Sequence, residues 1–207
     1  MKKEEIRELI KKYGMPYSEF LGIDLKSKRE SEIFKWFLAS ILFGKPIQEN
    51  VAIKTFGEFE KRNVLSPSKI IRAGWDRLVE ILDAGSYVRY DFSTATKLLE
   101  IMKKLNEEYG TLSNLHRKAK NPKDLEKRLQ EFKGVGPITA NIFLRELRDV
   151  WQKANPEPLD LIKKTAKKLG IKLSGLSRKN RYFIKLECAL FRISKHGKAG
   201  FNQRHSG

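Results

Sequence analysis

The sequence predicts an all-α protein. Apolar residues recur at spacings of three and four along nearly the whole chain, no segment alternates apolar and polar residues as a half-buried strand does, and glycine or proline punctuates the periodic stretches. The first helix carries Ile6, Leu9, Ile10 and Tyr13 and is stopped by Gly14. Glu32 to Phe43 is apolar almost all round, with Ile33, Phe34, Trp36, Phe37, Leu38, Ile41 and Leu42, which marks a helix buried at the centre of the fold; Gly44 and Pro46 end it. Shorter helices follow around 47 to 61, 68 to 73 and 75 to 83, bounded by Ser66-Pro67, Gly74 and Gly85. Residues 91 to 109 form a longer helix with Ala95, Leu98, Leu99, Met102 and Leu105 on its apolar face. After a polar stretch from Arg117 to Lys123, Asp124 is placed to cap a helix through Phe132, and Thr139 to Val150 forms another with Ile142, Phe143 and Leu147 on one side. A helix over 161 to 169 stops at Gly170, and the last runs from Arg178 to Lys195, before His196-Gly197.

Hydrophobic residues make up 40% and charged residues 33% of 207, enough for one large domain or two small intertwined ones. No apolar run approaches the roughly 18 residues of a membrane span. The start, Met1-Lys2-Lys3-Glu4-Glu5-Ile6, lacks the apolar stretch of a signal peptide, so an intracellular, cytoplasmic location is expected. The single cysteine, Cys188, excludes an internal disulfide framework and four-cysteine zinc or iron–sulfur sites, and its apolar neighbours Leu186, Ala189, Leu190 and Phe191 read as the setting of a buried structural thiol. His116, His196 and His205 have no partners at metal-ligand spacing, so no metal is assigned to side chains. Charge is more informative: 43 Lys and Arg against 25 Asp and Glu leave +18. Such a field attracts polyanions, nucleic acid foremost, with affinity that falls as salt rises. The competing reading is Lys/Glu enrichment for solubility or thermal stability.

Phe132-Lys133-Gly134-Val135-Gly136-Pro137 joins two predicted helices. Gly134 and Gly136 permit backbone angles that a side chain would forbid and let a phosphate approach the main chain. Pro137 suits the first helical turn, so the free N–H groups and positive dipole end of the second helix face the same spot. The result is a phosphate cradle that ignores base sequence, formed by Lys133, Gly134, Val135, Gly136 and Thr139.

The run Leu129-x-x-Phe132-Lys133-Gly134-Val135-Gly136-Pro137-Ile138-Thr139-Ala140-Asn141 resembles the helix-hairpin-helix of the DNA glycosylase superfamily that includes endonuclease III and the alkylpurine glycosylases. Similarity extends over roughly residues 30 to 200: a buried helix from Glu32, Gly85-Ser86-Tyr87 before the long helix, and the closing His196-Gly197. The family's cysteine-ligated cluster has no counterpart here. The resemblance implies a two-lobed all-α fold with a central DNA-binding cleft, residues 30 to 150 carrying the hairpin and residues 1 to 29 plus 151 to 207 forming the second lobe. It implies a monomer acting on double-stranded DNA that contains a damaged base.

Such enzymes extrude a nucleotide before cutting its bond to the sugar, and a carboxylate stabilises the developing oxocarbenium ion or activates water. By resemblance this is Asp160, which opens a helix ending Lys168-Leu169-Gly170; counting back without a gap puts Leu159 in that slot, so Asp160 requires a one-residue shift, and Glu157 is the alternative carboxylate. Asp160 also reads as an ordinary first-turn aspartate. Bifunctional members carry a lysine where this chain has Ile138, so a monofunctional, water-using glycosylase is implied, with Lys133 or Lys163 as substitutes if there is lyase activity. The family's hairpin holds a monovalent cation, sodium or potassium, through backbone carbonyls that correspond to Gln130, Phe132 and Val135; no other cofactor is implied. Trp36, Trp75, Tyr87 and Tyr90 are aromatic candidates for stacking on an extruded base: Trp36 sits in the most apolar helix and reads as core, whereas Tyr87 and Tyr90, flanking Arg89, are assigned to the base pocket. The other readings are a non-catalytic protein that recognises lesions or DNA structure, and a bifunctional glycosylase and lyase.

Overall fold

The structure, a computed structural model, describes residues 2 to 196, the last by its backbone alone. Among them are eleven α-helices and no strand: α1 (Lys3–Tyr13), α2 (Tyr17–Phe20), α3 (Glu30–Phe43), α4 (Glu49–Lys61), α5 (Pro67–Ala84), α6 (Asp91–Glu108), α7 (Leu112–Lys118), α8 (Pro122–Gln130), α9 (Pro137–Glu146), α10 (Asp160–Lys168) and α11 (Arg181–His196). None is long and apolar enough to cross a membrane.

The apolar helix α3 is the organising element. It packs against α4, α7 and α9, and every residue from Glu32 to Phe43 except Lys35 is buried. Trp36 belongs to this core, its indole N–H donating to the carbonyl of Phe143 in α9 at 3.0 Å. The two short helices expected at 68 to 73 and 75 to 83 are continuous in α5 except for a break at Gly74, whose φ of 73° and ψ of 176° leave the helical region. α6 folds back onto α5, while α1 and α10 both lie against α11, so the two ends of the described chain meet.

Several helix ends differ from the sequence expectation, for reasons of capping. α8 starts at Pro122, with Asn121 as its cap: the Asn121 side chain accepts the Asp124 N–H at 3.0 Å. Asp124 instead accepts from the Lys120 N–H at 2.7 Å and pairs with Arg128. α9 begins two residues before Thr139 and ends at Glu146 rather than at Val150. α11 begins at Arg181, after Asn180, whose side chain accepts the Phe183 N–H at 2.7 Å. α7 was not anticipated; Thr111 caps it, and the Glu30 carboxylate accepts the N–H groups of Leu112 and Ser113 at 2.7 and 3.2 Å.

Residues 139 to 146 of α9 are all buried, charged ones included. The Glu146 carboxylate accepts the N–H groups of Tyr17 and Ser18 at 3.1 and 2.9 Å, and Arg148, just beyond α9, pairs with Glu187 of α11 in full burial. Cys188 is buried beside them, and desolvation first, then Glu146, pushes its thiol up to about 12, so it is inert at neutral pH.

Candidate nucleic-acid interface

α8 and α9 form the hairpin. Phe132 and Val135 are buried and anchor the turn from below, and the Val135 N–H donates to the Phe132 carbonyl at 2.9 Å. Between them Gly134 takes a φ of +92°, a backbone region that side chains rarely adopt. A Cβ there would lie 2.6 Å from Lys97 Cδ, so the turn and α6 touch at this point. Gly136 is extended as the N-cap of α9, Pro137 is its first residue, and no side chain caps the helix. Its leading N–H groups and positive dipole end are therefore left for an external anion. Around Gly136 a side chain would meet nothing within 4 Å, so the approach is open.

Two lysines from elsewhere in the chain converge on this turn. Thr139 packs against Gly44 at the end of α3, which brings the next residue, Lys45, beside the first turn of α9. Lys45 lies near Lys97, and its ammonium is held below the usual lysine value, by burial first and by the Lys97 charge second. Among the described residues neither lysine forms an ion pair. Lys133 does, with Glu100 at 2.9 Å. Two ammonium groups facing each other without a carboxylate repel, and a bound anion would relieve that repulsion. Sequence reasoning missed Lys45 and Lys97 as site residues, because their proximity arises only from tertiary packing.

Other expected site residues fall in varied places. Thr139 is buried by its packing on Gly44, so its side chain is not presented to a backbone phosphate. Tyr87 is 1% exposed and its hydroxyl donates to the Leu42 carbonyl at 2.8 Å; it is a core residue with no face for a base, and the base-pocket assignment is corrected. Tyr90 is half-buried, edge-on to Tyr87 at 6.3 Å, with the Arg89 guanidinium 5.5 Å from its ring centre. Asp160 is the first residue of α10, its side chain 89% exposed and 3.7 Å from Lys163. Glu157 is exposed and pairs with Arg178, while its carbonyl accepts from the Asn141 side chain at 2.7 Å. That bond ties the segment carrying both candidate carboxylates to the second turn of α9. A cavity of about 320 Å³ adjoins it, with Glu157, Lys163, Arg178 and Phe183 on its walls.

Among the described residues no His, Cys, Asp or Glu cluster is arranged to hold a metal ion. The carbonyls of Gln130, Phe132 and Val135 are oxygen donors of the kind a monovalent cation takes; Phe132 already accepts one hydrogen bond and retains a second lone pair. His116 stacks on Trp151 at 4.6 Å, whereas His205 and the His196 side chain lie outside the described residues. The chain matches no protein-family model, no curated protein and no solved structure.

Proposed function

We propose that this protein grips double-stranded DNA through the α8–α9 hairpin and acts there as a monofunctional DNA glycosylase, hydrolysing the N-glycosidic bond of a damaged base. The observation that carries the reading is the Gly134 turn: a positive-φ glycine, an uncapped helix start at Gly136-Pro137, and Lys45 and Lys97 converging on it with no ion pair of their own. A phosphate diester satisfies all three at once, by accepting helix N–H groups, meeting the dipole and separating the two ammonium groups. The net charge of +18 gives the long-range attraction.

The chemistry belongs to the same proposal. Asp160, or failing it Glu157, faces the sugar, supports its developing positive charge and takes the proton of the attacking water as the base departs. The Asn141 bond to Glu157 supports this, because it ties the carboxylate segment to the hairpin helix. Ile138, 45% exposed where bifunctional members of the glycosylase superfamily that the hairpin resembles carry lysine, supplies no amine for a Schiff base. The two-lobed division at residues 30 to 150, the monomeric state, the intracellular location and a sodium or potassium ion on the carbonyls of Gln130, Phe132 and Val135 complete the reading.

Duplexes that each contain one damaged base test it. Base release, read as alkali-labile abasic sites, is expected for at least one lesion and is expected to fall by about a hundredfold or more in Asp160→Asn. Undiminished release in that variant assigns the chemistry elsewhere. A second reading, a non-catalytic protein that binds lesions by shape, is favoured by the exposure of Asp160, whose carboxylate stands in solvent rather than in an enclosed pocket. It predicts tight, salt-sensitive binding and no abasic sites with any lesion. Borohydride trapping of a covalent adduct would point instead to a lyase using Lys133 or Lys163.

A further inference from the structure

The fold leaves an aromatic pair uncovered beside the hairpin. Trp75 is 40% exposed and Phe92 59%, their ring centres 5.3 Å apart and tilted by 37°, with Val88, 63% exposed, in the loop before α6. Burial does not hold these rings; hydrogen bonding positions one of them. The Trp75 indole N–H donates to the Thr96 hydroxyl at 3.0 Å, and that hydroxyl donates to the Phe92 carbonyl at 2.9 Å. The break at Gly74 sets Trp75 at the start of the second segment of α5, where its ring lies over the opening of α6. The indole is thus oriented while part of its surface stays in water, an arrangement that a core residue does not need.

The neighbourhood decides what would cover it. Thr96, which orients Trp75, is followed in α6 by Lys97, which touches the Gly134 turn. The platform and the phosphate cradle therefore adjoin consecutive residues of one helix, Thr96 and Lys97. Lys45 and Lys97 attract phosphate, while the two rings offer uncharged faces. A nucleic-acid strand has both parts: charge for the lysines and an uncharged π-face for the rings.

We infer that Trp75 and Phe92 form a stacking platform for an unpaired nucleobase of the strand whose phosphate sits in the hairpin. The inference rests on the hairpin's reading as a DNA grip, but not on catalysis. Stacking is indifferent to base identity, so the platform prefers bulged, frayed or single-stranded nucleotides over paired ones.

Tryptophan emission tests it directly, because Trp36 is 0% and Trp151 6% exposed, leaving Trp75 as the solvent-facing indole. The full chain is titrated with a fully paired duplex, the same duplex with one bulged thymidine, and oligothymidylate. Quenching is expected with the last two and not with the paired duplex. Trp75→Leu is expected to abolish the quench, and Phe92→Ala to weaken binding to bulged DNA at least about fivefold while paired-duplex affinity stays within about twofold. Phe92 is exposed, so that variant keeps the fold, and its circular dichroism spectrum verifies this. If paired and bulged duplexes bind alike without quenching, the platform is wrong and the hairpin grip stands; if no DNA binds, both are wrong. If Trp75 becomes protected from acrylamide on raising the protein concentration alone, and Phe92→Ala restores a monomer, a second copy covers the rings and the inference is overturned.

Discussion

In the interior where α9 runs into α11, Arg148 meets Glu187 with both side chains fully buried, and Arg192 donates to the Tyr13 carbonyl at 2.8 Å while its guanidinium lies 4.1 Å from the Tyr17 ring centre. At the hairpin, Lys45 and Lys97 stand together with no carboxylate between them. Both regions gather cations, yet in the first the chain supplies carboxylates, carbonyls and ring faces, and in the second Glu100 pairs with Lys133 while Lys45 and Lys97 form no ion pair. Arg145 fits the first pattern by another route: its guanidinium, fully buried, lies 4.2 Å from the Phe191 ring centre. The contrast separates charges the fold keeps for itself from charges it leaves to a ligand. Excess charge alone cannot make that distinction, since all these residues enter the +18 balance equally.

Breaking the interior pair is the largest perturbation expected. Arg148→Met leaves Glu187 buried and without its partner, which costs about 3–5 kcal/mol of stability. Thermal unfolding should register this as a marked fall in Tm, while the DNA affinity of the fraction that remains folded is unchanged. The hairpin pair should behave in the opposite sense. Replacing Lys45 and Lys97 together by alanine removes mutual repulsion and no ion pair, so Tm holds or rises slightly. DNA affinity should fall on the order of tenfold at physiological salt, and the slope of log affinity against log salt should shrink by about 2, close to 0.9 for each lost phosphate contact. A double variant that loses stability but keeps its salt slope would place these lysines among the structural charges and remove the distinction drawn above.

How much of this was legible in the sequence follows from which interactions are local. α3 was plain because burial on every side shows directly as an unbroken apolar run, and the Gly134-Val135-Gly136-Pro137 turn was plain because its needs, a positive φ and a proline-opened helix, are met within a few residues. α7 was not: seven residues are too few to show a period, and part of its capping comes from Glu30, 82 positions away. At α8 two residues able to cap stood three apart, and Pro122 at the first helical position favours Asn121 over Asp124. Tyr87 was assigned to the base pocket as an aromatic flanking Arg89 and Thr139 to the phosphate cradle by its place in the hairpin, but each is buried. Tyr87 finds a buried carbonyl for its hydroxyl, which is the usual condition for a tyrosine in a core. Lys45 and Lys97, the pair that most distinguishes the site, are separated by two whole helices, α4 and α5, and carry no local signature at all.

The smallest effect expected lies at His116, which stands between the two regimes. Its ring is stacked on Trp151, one nitrogen accepts the Lys153 N–H at 3.3 Å, and burial first, then Lys153 and Lys179, lower its pKa from 6.5 to about 4. Protonation would add a cation where two already stand and would remove the acceptor. The unfolded chain takes up this proton near pH 6.5 and the folded chain only near 4, so the stabilisation is complete above the unfolded value and is lost as pH falls through that window. Allowing for partial solvent screening, the loss is about 1–2 kcal/mol. In His116→Phe, which keeps an aromatic ring but does not titrate, Tm between pH 7 and 4 should fall less steeply than in the wild type. If the two profiles are parallel, the ring is as easily charged in the folded chain as in the unfolded one. The surroundings of Lys153 and Lys179 would then resemble the hairpin, open to external anions, rather than the closed interior of Arg148 and Glu187.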